Sequence, residues 1–305
     1  MDRIVECVPN FSEGRNSATL DSLQRTVAEV SEVAVLDLHR DPDHNRSVLT
    51  FAGAPDAVSE AAFRVVARAA QLIDLRLHSG EHPRIGAADV LPFVPVAGVT
   101  IADCVGLAHA TGKRIAGELG IPVYFYERAA LRPERVPLEN VRGRGIEELR
   151  QQIGSEPSRA PDVGPSRVHE TAGAIAVGAR PFLIAFNVNL RTSDISVARK
   201  IAHAVRARDG GLPSLKALGI DLKSRGLVQV SMNLTDFETT GLNEAFAAVQ
   251  AQAEKLGVEI AAAEIVGLVP QAAIKASAPY YPLLENFAPD AIVEQRISSR
   301  LSISR

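Results

Sequence analysis

Apolar and polar positions fall into the same order twice along this chain. Residues 3–8 read as a strand, and Leu20, Leu23, Val27 and Val30 then keep helical spacing after the turn residues Asn16-Ser17. Val33-Ala34-Val35-Leu36 and Val48-Leu49-Thr50-Phe51 are short β-rich runs. A second helical stripe (Val58, Ala62, Val65, Val66, Ala69, Leu72) precedes a strand at Val90–Val96. The order is β-α-β-β-α-β, extended by a helix over about 100–119 and a strand at Val123-Tyr124-Phe125-Tyr126. Residues 154–180 break the pattern with Gly154, Ser155, Pro157, Pro161, Gly164 and Pro165, a linker composition. Beyond them the order returns: a strand at 182–186, a helix at about 193–207, β runs at 216–222 and 227–234, a helix carrying Leu242, Phe246, Val249, Ala253 and Leu256, and a final strand region from Val258 to Val266.

This pattern predicts an α+β fold of two ferredoxin-like (βαββαβ) subdomains, residues 1–178 and 179–305, with helices outside. Such sheets leave one face bare, so the expectation is that the two sheets face each other across a cleft. The chain's 305 residues suit two domains of about 150 residues.

Composition narrows the class. Hydrophobic residues make up 46% of the chain and the formal net charge is −3, with acids and bases interspersed. There is no basic face for nucleic acid and no polybasic patch for a membrane. Cys7 and Cys104 are the only cysteines, too few for a disulfide framework and without CxxC spacing, which suits a reducing cytoplasm. The N-terminal run has no secretory pattern, and no apolar stretch approaches the roughly 20 residues needed to span a bilayer. A cytoplasmic protein is expected.

The chemistry concentrates in His78-Ser79-Gly80-Glu81-His82-Pro83-Arg84-Ile85-Gly86-Ala87-Ala88-Asp89. Two imidazoles, two carboxylates and a guanidinium stand between Gly and Pro breakers, with neither a helical nor a strand period, so the stretch reads as a loop on a rigid scaffold. His82 is the candidate proton shuttle, because imidazole titrates near neutrality. Glu81 or Asp89 would orient it, and the plainer reading is a surface histidine bonded to a neighbouring carboxylate. Arg84 and Arg46 carry forks suited to carboxylates. Asp37, His39, Asp41, Asp43 and His44 are ligand types for a metal, yet that stretch contains no HxxxH pair and no metal site is expected. Gly173 and Gly178 do not form a phosphate loop, lacking both the Walker lysine and the GxGxxG spacing.

The same loop, together with Val5-Glu6-Cys7-Val8-Pro9-Asn10-Phe11-Ser12-Glu13-Gly14, Asp43-His44-Asn45-Arg46-Ser47-Val48, Thr171-Ala172-Gly173, Val177-Gly178-Ala179-Arg180, Ala185–Leu190 and Gln229–Asn233, resembles the glutamate formimidoyltransferase (formiminotransferase) family in family order over almost the whole chain. The resemblance is to stand-alone bacterial-type members without the cyclodeaminase domain. It implies transfer of a formimino group from N-formimino-L-glutamate to tetrahydrofolate in histidine degradation, with tetrahydrofolate as acceptor substrate. It also implies His82 as the catalytic residue, Asn10, Arg46 and Arg84 as substrate-binding residues, and a folate channel between two α/β subdomains. The stretch Gly164, Pro165, Ser166, Arg167, Val168, His169, Glu170, Thr171, Ala172 and Gly173 corresponds to the one that contacts folate in the family. The chain departs from some members at His39, where they place an acid. Asn187 and Asn189, at strand ends equivalent to Asn10, bind ligand nitrogens or only cap strands. Small molecules are the expected partners, with a homodimer through the N-terminal subdomain as the one protein contact entertained. A formyl or other formimino donor on the same fold, and a non-catalytic folate-binding module, are the alternatives.

Overall fold

The first strand is broken by a proline: Ile4–Cys7 (β1) and Asn10–Phe11 (β2) flank Val8-Pro9 and lie side by side with the same two neighbours. In the computed structural model the described residues are 3–42, 45–79, 84–222, 225–275, 287 and 289–303. The described residues fall into two compact units, one holding those up to Arg180 together with those from Ser299 on, the other Pro181–Ser298.

In the first unit, β1 and β2 lead to a helix at Ser17–Ala28 (α1), whose first turn is capped by Asn16 Oδ1 accepting from the Thr19 amide. Strands Val33–Asp41 (β3) and Arg46–Gly53 (β4) follow, then a helix at Pro55–Leu72 (α2) that opens on proline, where a missing amide hydrogen costs nothing. Strand Ala88–Ala97 (β5) completes the set. Helix Ile101–Leu119 (α3) starts with a reciprocal capping box between Thr100 and Asp103 and stops at Gly120, whose φ of 66° suits glycine. Strand Val123–Glu127 (β6) comes next.

The sheet runs β3, β4, β1/β2, β5, then a strand at Ile175–Ala179 (β7), then β6. Neighbours are antiparallel up to β5; β7 lies parallel to both β5 and β6. Val5, Cys7, Phe11, Leu49, Phe51, Leu91 and Phe93 pack beneath α1, α2 and α3 as the main core.

Two features differ from the sequence reading. Residues 154–180 are not a linker, because they supply β7 and its approach. The Val123 and Val163 backbones pair, Ala87 and Leu75 donate to the carbonyls of Ala172 and Thr171, and Ala174 donates to that of Ile85. A parallel strand buried on both faces shows no alternation, so small residues hid it among turn signals. Gly178 is small for a reason: a Cβ there would stand 2.4 Å from the Tyr126 ring.

The second difference concerns helices. The far face of β5, β7 and β6 is not bare. Short helices at Leu138–Arg142 (α4) and Ile146–Gln152 (α5) lay Val141 and Leu149 over Val90, Tyr124, Tyr126 and Ala176. Those buried aromatic and β-branched residues need cover, and elements too brief to carry a periodic signal provide it. A buried ion pair, Arg135 Nη1 to Asp162 Oδ1 at 2.6 Å, fastens this cover to β6, since Asp162 Oδ2 also accepts from the Phe125 amide.

The second unit contains Ile184–Leu190 (β8), Ile195–Val205 (α6), Leu215–Leu222 (β9), Leu227–Leu234 (β10), Leu242–Lys255 (α7) and Ile260–Val266 (β11). Its four-stranded sheet is antiparallel throughout, in the order β11, β8, β10, β9. Alternate residues Ile184, Phe186, Val188 and Leu190 are buried with Val228, Val230, Met232 and Leu234, and α6 and α7 supply Ile201, Val205, Phe246 and Val249. Short helices at Gln271–Lys275 and Val293–Ile303 lie near the end of the chain. Among the described residues no helix is long and apolar enough to cross a membrane.

Candidate active site

Asp89 stands at the head of β5 with no solvent exposure. Its Oδ1 accepts from the Ile85 amide at 2.8 Å. Its Oδ2 accepts from Arg46 Nη1 at 2.9 Å, Arg142 Nη2 at 2.7 Å and Arg142 Nε at 3.1 Å. Arg46 opens β4 and turns its remaining nitrogens to Asn10 Oδ1, from Nη2 at 2.9 Å and from Nε at 3.3 Å. Asn10 is held in turn by donating to the Val8 carbonyl. One carboxylate thus joins β4, α4 and the chain just before β5.

Burial alone would raise the Asp89 carboxyl, but the Arg142 and Arg46 guanidiniums, with the Ile85 amide, outweigh it and hold the group below its ordinary value. Arg46 is lowered by its own burial, against the pull of Asp89. It remains a cation, because guanidinium starts so far above neutrality.

The two flanks of the glycine- and proline-broken loop are described; Gly80, Glu81, His82 and Pro83 lie outside the described residues, as do Asp43 and His44. On the first flank His78 Nε2 meets the Asn45 carbonyl oxygen at 3.0 Å, which requires that nitrogen to carry the proton. Asn45 Nδ2 donates to the Ser79 carbonyl, and Asn45 Oδ1 accepts from the Gly14 amide. Burial lowers the His78 pKa and outweighs the Asn45 contact, so the neutral ring is favoured. On the second flank the Arg84 carbonyl accepts from the Ile146 amide at 2.7 Å, and Ser12 Oγ donates to the Gly86 carbonyl.

The sequence-nominated residues separate into groups. Asn10 and Arg46 come together on Asp89. Arg84 does not join them: its Nη2 donates to the His78 carbonyl and pairs with Glu147 Oε1 at 3.3 Å. Asp89 itself is committed to two arginines and a backbone amide. The stretch 164–173 is divided in its surroundings. Ser166, Arg167, Val168 and Glu170 line a cleft of about 480 Å³ with Arg76, Arg150 and Ser155. Thr171, Ala172 and Gly173 instead pack under the loop flank, where Gly173 takes φ 73° and a Cβ would meet the Ile85 carbonyl oxygen at 2.3 Å. His169 Nδ1 accepts from the Ala172 amide, closing that turn. In the second unit, Gln229 Nε2 donates to Asn189 Oδ1 and to Glu264 Oε1, and Asn187 Nδ2 also donates to Glu264 Oε1.

Arg142 was not legible in the sequence. It ends a five-residue helix, and the only hint was that a buried carboxylate at a strand head needs counter-charge. Among the described residues no group of three or more His, Cys, Asp or Glu is placed to hold a metal ion. Cys7 and Cys104 are buried and free, and burial pushes the Cys104 thiol up to about 12.

Comparison with known proteins places this architecture. Residues 4–180 match the formiminotransferase domain, N-terminal subdomain, and residues 185–305 match the formiminotransferase domain. The chain belongs to the formiminotransferase family. It is 46% identical to a glutamate formimidoyltransferase of Thermoplasma acidophilum, over 96% of this chain and 97% of that one. It is 44% identical to a glutamate formimidoyltransferase of Streptococcus pyogenes serotype M1, over 94% of this chain and 96% of the relative. A formimidoyltransferase-cyclodeaminase of Sus scrofa is 43% identical over 94% of this chain, which spans 54% of that longer protein.

Proposed function

We propose that this chain is a glutamate formimidoyltransferase, moving the formimino group of N-formimino-L-glutamate to N5 of tetrahydrofolate and releasing L-glutamate. The observation that carries this reading is near end-to-end similarity to two proteins of that name, across both units. In the reaction the N5 amine attacks the amidine carbon, a tetrahedral adduct forms, and the bond to the glutamate nitrogen breaks as that nitrogen gains a proton. One group that takes the proton from N5 and returns it to glutamate serves both steps, and His82 is assigned that role. A guanidinium held in place near the loop flanks suits a donor with two carboxylates, and Ser166, Arg167, Val168 and Glu170, which line the cleft, are assigned to the folate.

A ferredoxin-like plan for each unit is supported by the strand order. In both units the third strand of the βαββαβ set lies between the first and second, with the fourth beyond the first, which is the ferredoxin-like order. The two free buried thiols suit a reducing cytoplasm.

The test offers tetrahydrofolate with formimino-glutamate, formyl-glutamate and formimino-glycine in parallel. Formation of 5-formimidoyltetrahydrofolate from the first donor, well above the others, is expected; no transfer from it ends the proposal. His82→Ala should lower kcat by about 10² to 10⁴ while leaving folate binding nearly unchanged. More than a tenth of the activity surviving would remove His82 from the role.

A further inference from the structure

We propose that Arg142 is the guanidinium that receives a carboxylate of the donor, and that Arg46, its neighbour on Asp89, is scaffolding. The inference rests on the transferase reading above and concerns which of four arginines meets the donor.

The hydrogen bonds divide the two cations. All three nitrogens of the Arg46 guanidinium are engaged by protein, Nη1 with Asp89 and Nη2 and Nε with Asn10. Arg142 spends Nε and Nη2 on Asp89, while its Nη1 donates to nothing among the described residues. Its side chain keeps 17% of its exposure, where Asp89 keeps none. Asp89 therefore shares a single charge between two cations and fixes the plane of both forks. Arg142 retains an outward-facing amine on a rotationally locked guanidinium, which is the arrangement that binds a planar anion with little loss of freedom.

Local structure holds Arg142 there. It closes α4, Gly143 then turns the chain with φ 54°, and the Ile146 amide bonds the Arg84 carbonyl. The other arginines fit less well. Arg84 is aimed at the His78 carbonyl and partly neutralised by Glu147. Arg76 in the cleft is already paired with Asp74 and Glu170.

The experiment measures KM and kcat for formimino-L-glutamate and for two truncated donors, formimino derivatives of 4-aminobutyrate and 2-aminobutyrate, each lacking one carboxylate. Arg142→Met and Arg142→Lys should raise the KM for the glutamate donor about 10- to 100-fold, the range for losing a charge-assisted hydrogen bond. The same variants should leave the KM for one truncated donor unchanged, because its partner carboxylate is already gone. The KM for tetrahydrofolate should not move, which separates the donor from the acceptor's own glutamate tail. Arg142→Lys keeps the Asp89 ion pair, so it tests the fork in a protein whose Tm stays near wild type. An unchanged KM for the glutamate donor, an equal penalty on all donors, or a penalty on tetrahydrofolate overturns the assignment. A wild-type protein that transfers from none of these donors overturns the transferase reading, and this assignment falls with it.

Discussion

At the scale of single residues, the described part of the site is organised around one buried carboxylate, Asp89. Removing the Asp89 charge while keeping its shape takes away the carboxylate that the two guanidiniums share. Breaking one side of a buried pair typically costs about 3–5 kcal/mol, so Asp89→Asn should lower unfolding stability by that order in urea titration. A loss under about 1 kcal/mol would mean the two arginines find other partners, contrary to this account. His78 supplies a pH-dependent counterpart. Its folded pKa lies below the unfolded value, so its contribution is complete above about pH 6.5 and is lost as pH falls through the lower folded value. The Tm advantage of wild type over His78→Ala should therefore narrow as pH falls below about 6.5; a constant gap would show that the half-buried ring does not titrate there. Asn10 and Arg46 could be nominated from the sequence because motif and residue type coincided, and the fold brings them together on Asp89. Arg142 was not, since nothing local distinguishes it from Arg144 or Arg150; only the folded chain shows which guanidinium reaches Asp89.

At the scale of elements, long amphipathic segments were legible and small buried ones were not. The stripes of α1, α2 and α3 declare themselves because one face is apolar and the other wet. The strand β7 has no wet face, and its glycine and alanines resemble loop residues until Tyr126 is seen pressing on Gly178. Two alanine substitutions separate packing from propensity. Gly178→Ala should destabilise by about 1–3 kcal/mol through overpacking. Gly106→Ala, inside α3 with open space at its Cβ position, should stabilise by up to about 1 kcal/mol through helix propensity. Both are measured by Tm; destabilisation by the second would mean α3 is constrained at that turn by something other than propensity. The ladder from Ile85–Ala87 to Ala172–Ala174 also makes residues 164–173 part of the first unit's structure, so exchanging them for a Gly/Ser linker should unfold that unit rather than merely loosen a tether.

At the scale of the molecule, two units each built on a helix-covered sheet agree with the repeated order of apolar periods. The first unit adds β6, β7 and the cover of α4 and α5 to that plan, and this addition carries Arg142 to the site. A folate that binds only the folded chain raises its stability by RT ln(1 + [L]/Kd), about 2.7 kcal/mol at a hundredfold excess over Kd. The stable 5-formyl analogue of tetrahydrofolate should therefore raise Tm, and no shift at millimolar concentration would separate this protein from folate.

The strand order of the first unit also sets a timetable for biosynthesis. Among the described residues β6 is joined to the sheet through β7 alone, and β7 begins 48 residues after the end of β6. At common translation speeds the nascent chain carries Val123–Glu127, apolar and without its partner, for roughly 2 to 10 s. Burial of Tyr124 and Tyr126 must wait for the same event, because the cover over them leans on a sheet that is not yet closed. Slowing or accelerating translation between codons 128 and 175 should change the yield of native protein while leaving its final stability untouched, a vulnerability that belongs to the order of the strands and not to their strength.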